Sequence, residues 1–111
     1  MSEQYLVIYC TCPDAEVAEQ VASALVDEKL AACVNIVPSV VSIYCWQGER
    51  QRDSEVLLII KSRQTAYVAL EARIRALHPY DVPEVIALPI VQGTTEYLTW
   101  VDSQLSSGAC C

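Results

Sequence analysis

The chain has 111 residues, with 53% hydrophobic residues, 19% charged residues and a net charge of −7, which fits one domain with ample core material. The acidic balance argues against a nucleic-acid partner, which requires a basic face. No stretch approaches the roughly 20 apolar residues of a membrane span, and Met1-Ser2-Glu3-Gln4 lacks the basic start of a secretory signal, so no membrane partner is expected and the expected compartment is the cytoplasm.

Tyr5 to Cys10 is a β-branched and aromatic run and predicts the first strand. Thr11-Cys12-Pro13-Asp14 then reads as a helix start, with a cap near Thr11 or Cys12 and proline in the first turn. Val17, Val21 and Leu25, with Ala18 and Ala22, repeat at helical spacing to about Lys29. A long second strand follows from Cys33 to Trp46, with Pro38 as a bulge or edge position. Gln47-Gly48-Glu49 is the turn, and a third strand runs from about Ser54 to Lys61. Thr65 is expected to cap a second helix whose stripe is Tyr67, Leu70, Ile74 and Leu77. Glu84 to Val91 predicts a fourth strand, and Gly93-Thr94-Thr95-Glu96 opens a final helix carrying Tyr97, Leu98, Val101 and Leu105.

The order β-α-β-β-α-β plus a C-terminal helix is the α+β, ferredoxin-like split βαβ arrangement, one domain over residues 1–105 with a disordered tail expected at 106–111. Right-handed crossovers lay both main helices on one face of an antiparallel sheet. The other face is then bare, and strands two and three are long enough to project as a hairpin. A mean hydropathy of +0.28 is high for so small a domain. Bare apolar surface of this kind calls for self-association.

Six cysteines occupy positions 10, 12, 33, 45, 110 and 111. In a reducing compartment they are not expected to form a disulfide framework. Cys33 and Cys45 read as small core residues. The segment Leu77-His78-Pro79-Tyr80-Asp81-Val82-Pro83-Glu84 carries the single histidine. It lies where the prolines stop a helix, in a position expected to be exposed.

If strand one points up, Cys10 and Cys12 end it at the top. His78 follows the second helix at the same end, Glu84 opens the fourth strand there, and the Trp46-Gln47-Gly48 turn reaches it. A thiol, an imidazole and a carboxylate that converge in this way suit copper or zinc. Equally, a cysteine at a strand end is commonly packing, and a histidine just past a helix is commonly a cap. Tyr44 and Trp46 read first as hairpin or interface packing, Lys61 as a solvated strand end, and Asp53 and Glu55 as a solvated strand face. There is no glycine-rich phosphate loop and no nucleophile elbow. A cysteine–histidine dyad lacks an orienting third group in the sequence. The chain therefore reads as a binding protein, not an enzyme.

Six short motifs occur in order: Cys10-Thr11-x-Pro13-Asp14, Leu30-Ala31-Ala32-Cys33-Val34-Asn35, Tyr44-x-Trp46-x-Gly48, Glu55-Val56 with Lys61, His78-Pro79-Tyr80-x-x-Pro83-Glu84, and Tyr97-Leu98-x-Trp100. Together they resemble the CutA divalent-cation-tolerance proteins over about residues 5–105. The resemblance implies a ferredoxin-like fold similar to PII signalling proteins, a homotrimer built on the long hairpins, and tolerance of divalent metals, copper above all. Carried over, the implied metal ligands are Cys10 and His78 for Cu(II) or another divalent metal, one per subunit, with Glu84 in support. Leu77 stands where some members have a second histidine. The alternative is a PII-like signalling module that binds a small molecule or partner in clefts between subunits, with Tyr44, Trp46, Lys61, Tyr80 and Glu84 as lining.

Overall fold

The computed structural model describes residues 4–105; the tail with Cys110 and Cys111 lies outside the described residues. Four strands and three helices run in the order β1 (Tyr5–Cys12), α1 (Ala15–Asp27), β2 (Cys33–Trp46), β3 (Glu49–Arg63), α2 (Tyr67–Leu77), β4 (Ile86–Pro89) and α3 (Thr95–Gln104), with a 3-10 turn at Gln64–Ala66 before α2. The sheet is antiparallel with strand order β2-β3-β1-β4, the ferredoxin-like arrangement expected from the element order.

Pairing register explains where the core sits. Ile8 faces Ile60 on one side and Ala87 on the other, and Cys10 faces Leu58. These positions share the face covered by α1 and α2. Ile8, Leu58 and Ile60 are fully buried there against Val21 and Leu25 of α1 and Leu70 and Ile74 of α2. Cutting one of these side chains back to alanine costs about 2–5 kcal/mol. On the opposite face Val7, Tyr9, Leu57 and Ile59 stay half-buried, and Ile86 and Leu88 are exposed. Only one end of that face is covered, where Val101 and Leu105 pack on Tyr5 and Ala32. Asp102 fixes α3 there, accepting from the Tyr5 hydroxyl at 2.6 Å and from Arg63 at 2.8 Å.

The local signals differ in detail from expectation. The α1 cap is Asp14, in extended backbone, whose carboxylate accepts from the Val17 N–H at 2.9 Å. Thr65 sits within the 3-10 turn that leads into α2, and the residue at the cap position itself is Ala66. Near Pro38 the pairing slips by one residue between Val37 and Val40, and Ser39 takes a left-handed φ of 66°, so the bulge is real. The β2–β3 turn is just Gln47 and Gly48, both with positive φ, the two-residue geometry that matches strand twist.

Strand β3 starts at Glu49, five residues before the expected Ser54, and β4 is four residues long instead of spanning 84–91. The first half of β3, Arg50-Gln51-Arg52-Asp53, pairs only with β2 and shows no apolar alternation for a sequence reading to catch. The β4 ladder is limited by its pairing to β1 over Leu6–Tyr9. Cys45 is exposed on the projecting hairpin, not a core residue.

Candidate metal centre and the adjoining pocket

The last residues of β1 alternate between two environments, as strand geometry requires. Cys10 and Cys12 point into the helix-covered core and are fully buried, while Thr11 between them lines a pocket on the other side. His78 follows α2 directly, and its backbone N–H closes the helix on the Ile74 carbonyl at 2.8 Å. Pro79 prevents further helix, so the imidazole turns toward β1. One ligand atom from each of Cys10, Cys12 and His78 lies within 4.8 Å of the other two, and all three residues are buried. His78 is 7% exposed, against the exposed position expected from the prolines. Tertiary packing of the helix end on β1, invisible in local sequence, covers it.

Both ring nitrogens of His78 are engaged. The Tyr80 N–H donates to Nδ1 at 3.2 Å, so Nδ1 is the acceptor; Nε2 then carries the proton and donates to the Thr11 carbonyl at 2.7 Å. The imidazole is neutral and ties the loop after α2 to the end of β1. Ligation of a metal by His78 requires that it give up one of these two backbone bonds. The sulfur atoms are tied more weakly. The Cys10 S–H has the Cys12 sulfur and, at 3.9 Å, the Thr11 carbonyl as acceptors.

The hydrogen bond between the thiols makes them unequal. The hydrogen bond from Cys10 lowers the Cys12 pKa, against burial and the charges of Glu55 and Asp14. The same bond raises Cys10 far above the ordinary thiol range, with burial and the charges of Cys12, Glu84 and Glu55 adding to it. Cys12 is therefore the thiolate that forms first, and the thiolate is the form that binds metal. Two thiols and an imidazole form a soft-to-borderline donor set that fits copper or zinc.

Glu84 is not part of this cluster. It is exposed and lines the pocket on the Thr11 side, a cavity of about 610 Å³ also walled by Tyr44, Trp46 and Tyr80. Lys61 does not line it; it sits near the start of β2, where its ammonium donates to the Asn35 side chain. Glu55, expected to be solvated, is 7% exposed and accepts from the Tyr80 hydroxyl at 2.8 Å. Burial foremost, then this hydrogen bond, raises the Tyr80 hydroxyl pKa above its usual value. Asp53 accepts from the Tyr44 hydroxyl, which raises that pKa too. Tyr80 belongs to both regions, since its ring lies 4.6 Å from that of His78. Cys12 and Glu55 are the residues that sequence reasoning left out of the candidate site. Cys12 was within reach, since i and i+2 share a strand face; burial of Glu55 depends on Tyr80 from a distant loop.

Comparison with known proteins settles the family. Residues 6–104 match the profile described as CutA1 divalent ion tolerance protein. The chain belongs to the CutA1 divalent ion tolerance family. It is 55% identical over 95 residues to the divalent-cation tolerance protein CutA of Thermus thermophilus, a match that spans 86% of this chain and 92% of that relative. It is 53% identical over 96 residues to the chloroplastic protein CutA of Arabidopsis thaliana, covering 86% of this chain but 53% of that longer protein. The solved structure of the divalent cation tolerance protein from Thermus thermophilus superposes with a TM-score of 0.90 at 51% identity, over 92% of this chain and 99% of that one. The CutA1 fold is thus shared over nearly the whole described chain.

Proposed function

We propose that this CutA1 chain serves divalent-cation tolerance by binding Cu(II) or another divalent metal at the Cys10–Cys12–His78 cluster, one ion per subunit. The observation that carries this reading is the convergence of two buried thiols and an imidazole within 4.8 Å. Cys12 supplies the first thiolate, Cys10 the second sulfur, and His78 a nitrogen once a backbone bond is released. Glu84 and Glu55 lie beyond the cluster and contribute negative charge, not ligation. The protein acts by binding, not catalysis: both His78 nitrogens serve backbone groups, so the imidazole is not held ready as a base beside either thiol.

The assembly is a homotrimer in this reading. Ile43 at 66% exposed, Trp46 at 50% and Ile86 at 51% are apolar surface that one chain leaves in water, and burial against other copies would recover it. Free thiols at Cys10 and Cys12 suit the cytoplasm. No helix among the described residues is long and apolar enough to cross a membrane.

The test is copper binding by equilibrium competition on full-length protein with Cys45, Cys110 and Cys111 changed to serine, beside the same protein carrying Cys12→Ser or His78→Asn. One site per chain that weakens tenfold or more, about 1.4 kcal/mol, on loss of Cys12 is expected. Binding indifferent to both changes would remove the cluster from metal handling.

A further inference from the structure

The donors of the Cys10–Cys12–His78 cluster bear on which ion it takes. Two are sulfur atoms and one is an imidazole nitrogen. Sulfur donors select Cu(I) among the ions of copper, while Cu(II) prefers square-planar or tetragonal sets of nitrogen and oxygen. Strand alternation keeps hard oxygen away from the sulfurs. Cys10 and Cys12 belong to the helix-covered core, whereas Glu55 and Glu84 line the Thr11 side of β1. Among the described residues no carboxylate joins the group.

The number of donors points the same way as their softness. A closed Zn(II) site takes four ligands, and this cluster offers three. Cu(I), with its filled d shell, is satisfied by three. Solvent has no open approach from which to supply a fourth, since both cysteines are fully buried and His78 is 7% exposed. For the cysteines that burial is the chain's own: they sit in the core cluster built by β1, β3, α1 and α2, with no neighbouring copy required. The compartment proposed above keeps thiols reduced, the condition under which copper persists as Cu(I).

We propose, resting on the reading of this cluster as the metal site, that the ion it takes is Cu(I), favoured over Zn(II), with both sulfurs and one His78 nitrogen as donors. His78 supplies the nitrogen by releasing either the Thr11 carbonyl or the Tyr80 N–H.

The test is an anaerobic titration of the full-length protein with Cys45, Cys110 and Cys111 changed to serine. Cu(I), kept reduced by ascorbate, is competed against bicinchoninate, and Zn(II), which has no redox chemistry, against a chromophoric zinc chelator. One Cu(I) per chain is expected, bound about a thousandfold or more tighter than Zn(II). X-ray absorption at the copper edge is expected to show sulfur and nitrogen neighbours. Cys10→Ser and Cys12→Ser, which put oxygen in place of sulfur, are each expected to weaken Cu(I) about tenfold or more. Zn(II) bound as tightly as Cu(I), and lost with Cys12, would overturn the choice of Cu(I) and leave the cluster standing as the metal site. Cu(I) binding indifferent to both serine changes, or no binding of either ion, would overturn both.

Discussion

The two sides of the end of β1 differ by one peptide and by almost everything else. On the helix side Cys10 and Cys12 are fully buried among Leu58, Val56 and the helices, with donors that favour soft metals. On the other side Thr11 opens onto hard carboxylate oxygens and aromatic rings at the base of an exposed hairpin. Strand alternation alone separates the two chemistries. His78 and Tyr80 join them: the imidazole holds the Thr11 carbonyl, and the tyrosine two residues on holds Glu55. The lesson is that a single strand end can present two chemical environments without two folds, provided a neighbouring loop seals one and opens the other.

The comparison is broken most severely from the sulfur side. Cys10→Ala with Cys12→Ala removes both thiolates and is expected to weaken copper binding at least a thousandfold, about 4 kcal/mol. If metal affinity survives in a protein that also lacks Cys45, Cys110 and Cys111, the helix side is only packing. Next comes His78→Ala, which strands the Thr11 carbonyl and the Tyr80 N–H. Each unsatisfied group costs about 1–3 kcal/mol, so a loss of about 2–6 kcal/mol in urea unfolding is expected, with copper binding impaired. A loss below about 0.5 kcal/mol, the size of a surface change, would mean that His78 does not tie the two sides together.

A third test sharpens the sulfur side through its protons. Thiolate absorbance of the protein lacking Cys33, Cys45, Cys110 and Cys111 is expected to rise in two separate steps. The step for Cys12 falls below the ordinary thiol value and that for Cys10 above it. The sign for stability follows. Between the lowered Cys12 value and the ordinary one, the unfolded chain holds two protons and the folded pair one, so stability rises with pH. Above the ordinary value the unfolded chain holds none while Cys10 keeps its own, so stability falls. The pair's contribution to stability should therefore peak near the ordinary thiol pKa, about 8.5, and the rise below that pH should be absent in Cys12→Ser, where only the raised Cys10 thiol remains. Two thiols that titrate together at that value would show that no proton is shared.

Much of this architecture is legible in the sequence because the core half of each element repeats with the right period. Val21 and Leu25 give α1, Leu70 and Ile74 give α2, and the strand order follows from chain order and handedness. The gathering of Cys10 and His78 at one end follows from topology as well. What escapes is whatever depends on a partner far along the chain. The outer half of β3 is a strand because β2 lies beside it, not because Arg50-Gln51-Arg52-Asp53 prefers one. Glu55 sits in the strand as a charged residue close to Asp53, and only the Tyr80 hydroxyl, 25 residues on, accounts for its burial. His78 looks solvent-facing between a helix end and a proline until β1 is packed against it.

Tyr80→Phe is the mildest probe of the link between the two sides. It deletes the hydroxyl that donates to Glu55 and keeps the ring beside His78 and the backbone N–H on Nδ1. Glu55 loses a donor but borders an open pocket, so water can replace it in part. The expected cost is about 1 kcal/mol, read as a shift in the urea midpoint with no change in m-value. Copper affinity should hold within a factor of about two, because nothing that faces the sulfur atoms has moved. A copper affinity that falls tenfold with the hydroxyl would show that Glu55 acts across the strand on the thiols, and the two sides would then have to be treated as one site.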